Sequence, residues 1–302
     1  MIKKSAFSLG ISGFSCGLGA QDEGCKDGYA ALEDQLRSTD YLPCSYQPIV
    51  NSLYDGPILN YTKYEKLYDH LMYLKNSVKE SIADGSIPVA IGGDHSMAMA
   101  TWTAVAQAYS LQRQLGLIWV DAHLDAHSQD TSPSGNYHGM PARFLLEGGS
   151  GVLSRVVGDE SIIDPKHLVY IGIRSYEDEE YAYLSNLGVK IYTMDDIHAQ
   201  GACCVVKEAM NYIRHHVSGF GVTIDIDAFD PHIAPGTGTT EADGLKEDFL
   251  ECLKGIGRDE KFKALEIAEF NPHLDQDGKT AALLLRIIGT IFSDYKESRD
   301  EN

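Results

Sequence analysis

Basic side chains are scarce in this sequence: 25 Lys and Arg stand against 44 Asp and Glu, a formal charge of −19. A nucleic-acid-binding surface carries a basic face, so polyanionic partners are not expected. The surplus acid fits simple solubility and, in a functional reading, attraction of a cationic substrate. Long apolar runs are also missing. None approaches the roughly 20 residues of a membrane-spanning helix, so no membrane partner is expected. The six cysteines (Cys16, Cys25, Cys44, Cys203, Cys204 and Cys252) form no C-x-x-C pair, and adjacent Cys203 and Cys204 do not readily bridge each other. In a chain this long that argues against a disulfide framework and for reduced, mostly buried thiols. No Pro/Gly/Ser-rich linker, low-complexity tract or internal repeat divides the chain. With 302 residues and 43% hydrophobic content, residues 1–302 read as one domain with a large core. The opening MIKKSAFSLGISGFSCGLGA has the lysines of a signal peptide, but Ser and Gly interrupt its apolar stretch. It reads better as a strand followed by a glycine loop, and a cytoplasmic protein is expected.

What is present is alternation. Short apolar runs predict strands at Ala6–Ile11, Ile87–Ile91, Leu115–Val120, His167–Ile173, Val189–Tyr192, Phe220–Ile226 and Phe262–Ala268. Between them, amphipathic stretches predict helices at Lys63–Asp84, Met97–Leu111, Glu179–Leu187, Val205–Arg214, Lys246–Gly255 and Thr280–Tyr295. Strands alternating with helices imply a three-layer α/β/α fold around a mostly parallel sheet. Such sheets bind ligands at the carboxyl ends of their strands.

Metal-ligand residue types collect at those ends. The run WVDAHLDAH places Asp121, His123 and Asp125 at alternate positions after an apolar strand, and Asp225 and Asp227 repeat the spacing in GVTIDID. Residues two apart on a strand share one face, so both sets can project to the same rim. His95, in GGDHS, follows the strand IPVAI. Its glycines permit a tight strand-to-helix turn, in which Asp94 or Ser96 can cap the next helix. Alone, His95 is an ordinary turn histidine; beside the aspartates it completes a six-ligand set. An H-x-x-x-H zincin helix is excluded, because Leu124 stands where that pattern needs Glu and the flanking sequence is strand-like. Two histidines and four aspartates at one rim repel without cations. They suit two adjacent divalent ions, and an oxygen-rich shell favours Mn²⁺ over softer metals. Two such ions lower the pKa of a water held between them, which makes hydrolysis the natural reaction class. His138, in the loop SGNYHGMP, is then placed to move a proton. Glu269 ends the last strand before Pro272 turns the chain out of the sheet. It can pair with a guanidinium or amidinium group.

In order, GGDHS, DAHLD, SGNYHGMP, TIDIDAFDP and EFNP closely resemble the motifs of the ureohydrolase family of arginases, agmatinases and formimidoylglutamases. The resemblance runs from Ile87 to Pro272 and weakly beyond. It implies a three-layer α/β fold, two Mn²⁺ ions per chain, hydrolysis of guanidino or formimino groups, and a trimer or hexamer. Matching the motifs implies that His95, Asp121, Asp125 and Asp225 hold one ion and Asp121, His123, Asp225 and Asp227 the other. Asp125 would also orient the attacking water, His138 would be the acid/base and Glu269 would dock the guanidinium.

The recognition shell is less uniform. SGNYHGMPARFLL, IWVDAH and LVYIGIRS look most like arginases, in which Ser134 and Asn136 would hold the α-amino acid end. His127, however, replaces a usual Asn, Glu177 a usual Asp and Lys246 a common Thr. HLDQDGKTA resembles formimidoylglutamases and APGTGT resembles agmatinases. A cationic His127 or Lys246 would suit a substrate with an extra carboxylate. The expectation is an amidinohydrolase acting on a small molecule, L-arginine first, formimidoylglutamate second and agmatine third. A deacetylase-like zinc amidohydrolase would need His-His where this chain has Asp94-His95. A noncatalytic metal protein would be expected to lack a ligand or Glu269.

Overall fold

Short, mostly apolar runs form eight strands in the computed structural model, which describes residues 8–38, 44–47 and 62–293. The strands are β1 (Leu9–Gly13), β2 (Cys44–Tyr46), β3 (Ile87–Ile91), β4 (Leu115–Val120), β5 (Leu168–Ile173), β6 (Lys190–Thr193), β7 (Gly219–Asp225) and β8 (Phe262–Ala268). They form one sheet in the order β2-β1-β3-β8-β7-β4-β5-β6, and every pairing is parallel. The helices are α1 (Gly28–Ser38), α2 (Lys63–Ala83), α3 (Ala98–Ala108), α4 (Pro141–Glu147), α5 (Ser154–Val157), α6 (Asp178–Asn186), α7 (Met194–Gln200), α8 (Ala202–His216), α9 (Phe249–Cys252) and α10 (Lys279–Ile291).

The pleat sorts the core into two layers. In β4, Leu115, Leu117 and Trp119 face a cluster with α2 to α6, while Ile118 and Val120 face one with α1 and α7 to α10. Period-2 alternation with both faces apolar is what a buried parallel strand needs, and it gives the three layers read from the sequence. Of the seven predicted strands three match their ranges, three shift by one residue, and β1 runs Leu9–Gly13 where Ala6–Ile11 was expected; β2 was not anticipated. Ala6, Phe7, Asp294 and Tyr295, placed in predicted elements, lie outside the described residues. Among the described residues no helix is long and apolar enough to cross a membrane.

Two expectations fail. The helix predicted over Lys246–Gly255 shrinks to α9, because Leu245 is engaged elsewhere. Its N–H donates to the Ala228 carbonyl at 2.9 Å, and its own carbonyl accepts from Asp230 N–H at 3.0 Å. Gly255, in the left-handed region, then ends the segment. The cysteines are also not all reduced: Cys203 on α8 is disulfide-bonded to Cys252 on α9, with Cα atoms 4.8 Å apart across 49 residues of sequence. That pairing depends on two helices meeting on one face, which spacing along the chain does not reveal. Of the free cysteines, Cys16 and Cys25 are buried, Cys44 is half-buried and Cys204 is exposed.

Candidate metal centre and active site

The four strands at the middle of the sheet, β3-β8-β7-β4, are the four whose carboxyl ends carry the candidate residues. Register brings them level. Val120 pairs with Ile224, Asp225 with Ala268 and Ile91 with Ile267. Asp121 therefore emerges next to Asp225, with Glu269 and the Gly92–His95 turn on the other side. Gly93, at φ 78°, makes that turn; a Cβ there would lie 2.2 Å from the Phe14 ring and 2.7 Å from two carbonyl oxygens. Asp94 caps the turn, accepting from the backbone N–H groups of Ser96 at 3.1 Å and Gly19 at 2.9 Å. Asp125 (φ 49°) and Glu269 (φ 65°) also hold the left-handed conformation, strained for residues with a Cβ. Such strain collects where surrounding structure fixes a functional side chain.

Two groups of donors converge here, each within 4.8 Å: His95, Asp121, Asp125 and Asp225 in one, Asp121, His123 and Asp227 in the other. Nδ1 of His95 lies 3.2 Å from Asp121, 3.0 Å from Asp125 and 3.0 Å from Asp225. Nδ1 of His123 lies 3.1 Å from Asp227 and 3.6 Å from Asp121. Asp121 belongs to both groups. Asp225 sits in the first, and its Oδ1 accepts from Asp227 N–H at 2.9 Å. Trp119 Nε1–H donates to Asp121 Oδ2 at 2.8 Å, holding that carboxylate in place.

The electrostatics call for positive charge. Burial, then the carboxylates of Asp227 and Asp121, pushes Asp225 well above the usual carboxylate range. Burial and Asp121 lift Asp125 to about 6. His95 Nδ1 is buried, faces three carboxylates and makes no hydrogen bond of acceptable geometry. A buried, unpartnered imidazole nitrogen ringed by carboxylate oxygens at these distances is a donor set that a divalent cation satisfies, so the residues fit a metal centre.

Beside it, His138 Nδ1 lies 3.1 Å from Glu269 Oε1, which also accepts from His95 backbone N–H at 2.9 Å. Burial disfavours the imidazolium, but the hydrogen bond and charge of Glu269 outweigh it and lift His138 to about 9. Burial likewise pushes Glu269 up, and the opposing hydrogen bond and charge of His138 hold it below its ordinary value.

His123, Asp125, His138, Asp225 and Asp227 open onto a cavity of about 270 Å³ whose other wall includes His127, Ser134, Glu177, Glu180, Ser175 and Thr239. A second cavity, about 650 Å³, lies past His138 and Glu269, and Asn136 lines it with Gln21, Asp22 and Glu23. Of the predicted recognition residues, His127, Ser134 and Glu177 thus reach the first cavity, and Asn136 the second. Lys246 lines neither. Its ammonium is 2.6 Å from Asp230 Oδ2, so the cation read from the sequence is engaged away from the site. His127 Nε2 sits between Glu177 at 2.9 Å and Glu180 at 3.2 Å.

Glu180 was not legible in the sequence. It is one acid in the run EDEE at the start of α6, where acids are favoured by the helix dipole anyway. In the fold it is buried, accepts from Ala126 N–H at 2.8 Å, and is pushed by burial to about 8.

Residues 7–293 match the sequence profile of the Arginase family. An arginase of Bacillus caldovelox is 36% identical over 223 residues, 73% of either chain. A crystal structure of the Bacillus caldovelox arginase superposes with a TM-score of 0.85 at 29% identity, covering 96% of this chain and all of that one. The formimidoylglutamase of Bacillus subtilis shares the fold, with a TM-score of 0.78 at 23% identity, covering 95% of this chain and 86% of that one. Sheet, rim and sequence likeness agree, and the chain belongs to the arginase family of hydrolases, which act on carbon–nitrogen bonds of amidines.

Proposed function

We propose that this chain hydrolyses L-arginine to L-ornithine and urea, using two Mn²⁺ ions. The observation that carries the reading is a pair of His/Asp donor groups sharing Asp121, beside His138–Glu269 and open to a cavity that no Lys or Arg lines among the described residues. His95, Asp121, Asp125 and Asp225 would hold one ion; Asp121, His123, Asp225 and Asp227 would hold the other. When bound, such ions supply an activated water and stabilise developing negative charge. The chain's own residues do the rest.

Glu269 docks the guanidinium by charge, orienting its carbon over the Asp rim. Asp125 orients the attacking water. As water adds to the guanidinium carbon and the C–N bond to the departing amine breaks, His138 delivers a proton to that nitrogen. A pKa near 9 keeps His138 protonated at neutral pH, as an acid must be. Across the cavity Glu177 would take the α-ammonium group and Ser134 the α-carboxylate, with Asn136 in the neighbouring cavity. Formimidoylglutamate carries an extra carboxylate. Away from His123 and His138 at the reacting centre, His127 is the histidine that lines the cavity, and that ring is held between two glutamates. The balance of charge therefore favours arginine.

Product analysis tests this with Mn²⁺-loaded protein and L-arginine, formimidoylglutamate and agmatine in parallel. The expected result is urea and ornithine from arginine at the highest kcat/KM. Formamide from formimidoylglutamate with arginine untouched would overturn the substrate assignment and make His127 its determinant.

A further inference from the structure

Glu266 is a fully buried carboxyl group that the proposed reaction does not use. It lies on β8 opposite Thr223 of β7, its partner in the strand register. Thr223 stands two residues before Asp225, on the same face of β7 and equally buried. The Thr223 hydroxyl donates to Glu266 Oε1 at 2.8 Å. Trp102 Nε1–H, from α3, donates to the same oxygen at 3.1 Å. On its other side Thr223 Oγ1 is 3.0 Å from His95 Nε2.

The direction of these hydrogen bonds follows from the donor inventory. An indole N–H can only donate and an ionised carboxylate can only accept, so Oε1 accepts from both Trp102 and Thr223. The single Thr223 proton then goes to Oε1, and Thr223 can only accept from His95. Nε2 of His95 must carry its proton, which leaves the Nδ1 lone pair aimed at Asp121, Asp125 and Asp225. Without the hydroxyl, Glu266 Oε1 remains on this side of the ring at 4.0 Å from Nε2, beyond hydrogen-bond reach. The chain Trp102–Glu266–Thr223–His95 runs entirely through residues no more than 1% exposed.

We propose that Thr223, Glu266 and Trp102 form a buried lock that fixes the tautomer and ring orientation of His95, and so sets how tightly the His95 group holds its divalent ion. Thr223 and Glu266 are positioning residues: they act through His95 and touch no substrate. The inference rests on the two-ion reading above. Outer partners of metal-bound histidines typically change metal affinity by about 10–100-fold.

The test is manganese retention against graded chelator, with ions counted per chain and the coupled Mn²⁺ pair followed by electron paramagnetic resonance. Thr223→Val removes the hydroxyl at nearly constant volume. The expected result is one ion retained as in the parent and the other held at least ~10-fold more weakly, with loss of the coupled signal. Thr223→Ser, which keeps the hydroxyl, should restore both. The melting temperature of the metal-free protein should barely move, which separates this role from simple core support. If Thr223→Val does not fold, Thr223→Ala makes the same deletion. A folded hydroxyl-free variant that holds both ions as tightly as the parent overturns the lock. Equal weakening of both ions with a destabilised metal-free protein overturns it in favour of a structural role. A parent that binds no ion defeats the two-ion reading first, and the lock with it.

Discussion

At His138 two opposing effects meet: burial disfavours charge, and Glu269 at 3.1 Å demands it. The folded pKa near 9 exceeds the ordinary value of about 6.5. Its stabilising contribution is therefore complete below about pH 6.5 and lost as pH rises through 9. In the metal-free protein this should cost on the order of 1–3 kcal/mol of stability between those limits, the side chain being partly screened. His138→Asn should flatten that segment of the stability–pH curve, measured by urea unfolding. In the metal-loaded enzyme the same change should lower kcat by about 10²-fold or more while leaving metal content intact. Loss of bound metal would instead make His138 part of the ion site. Which residues reach the rim was largely readable, because the metal-ligand types cluster just after apolar strands. Their alternate spacing was not the cause, since β4 ends at Val120, Asp125 is left-handed and Asp227 sits in a helical turn. Thr223 and Glu266 were not. A lone polar residue inside a strand gives no signal until register sets β7 against β8.

Elements show the same division. The strands ending at the site were legible because an apolar run with both faces buried has few alternatives to a parallel strand. The segment after Asp227 was not, since Arg174 and the backbone of Ala228–Asp230 hold residues 241–245 by contacts between distant parts of the chain. α9 owes its place to the Cys203–Cys252 bond as well as to packing of Phe249 and Leu250. Closing a loop of 49 residues restrains the unfolded chain, so Cys252→Ser should cost about 2–4 kcal/mol. A reducing agent should lower the melting temperature of the parent by a similar amount and leave that of the variant unchanged. Because α8 and α9 lie away from the cation groups, turnover at 25 °C should stay within about twofold. A larger loss would tie this bond to the site.

On the scale of the whole molecule, the chain carries a charge of −19 and, among the described residues, no Lys or Arg lines the cavity. Such a field raises the local concentration of a cationic substrate and is screened by salt. For L-arginine, raising ionic strength from about 0.01 to 0.5 M should lower kcat/KM several-fold and change kcat little. Equal effects on both would assign the salt response to the chemistry instead of to capture. The acidity was visible in composition. Its placement was not, because Lys246 looked available until the fold set it against Asp230.

The account depends above all on the four central strand ends holding a pair of divalent ions that the reaction needs. The direct measurement is to strip the protein with chelator, titrate Mn²⁺ back, and count bound ions and hydrolysis of L-arginine in the same samples. Two ions per chain should bind, with activity rising as the second enters, and Asp225→Asn should lose both the full complement and turnover. Undiminished hydrolysis in the stripped protein, or a parent that takes up no ion, would contradict it.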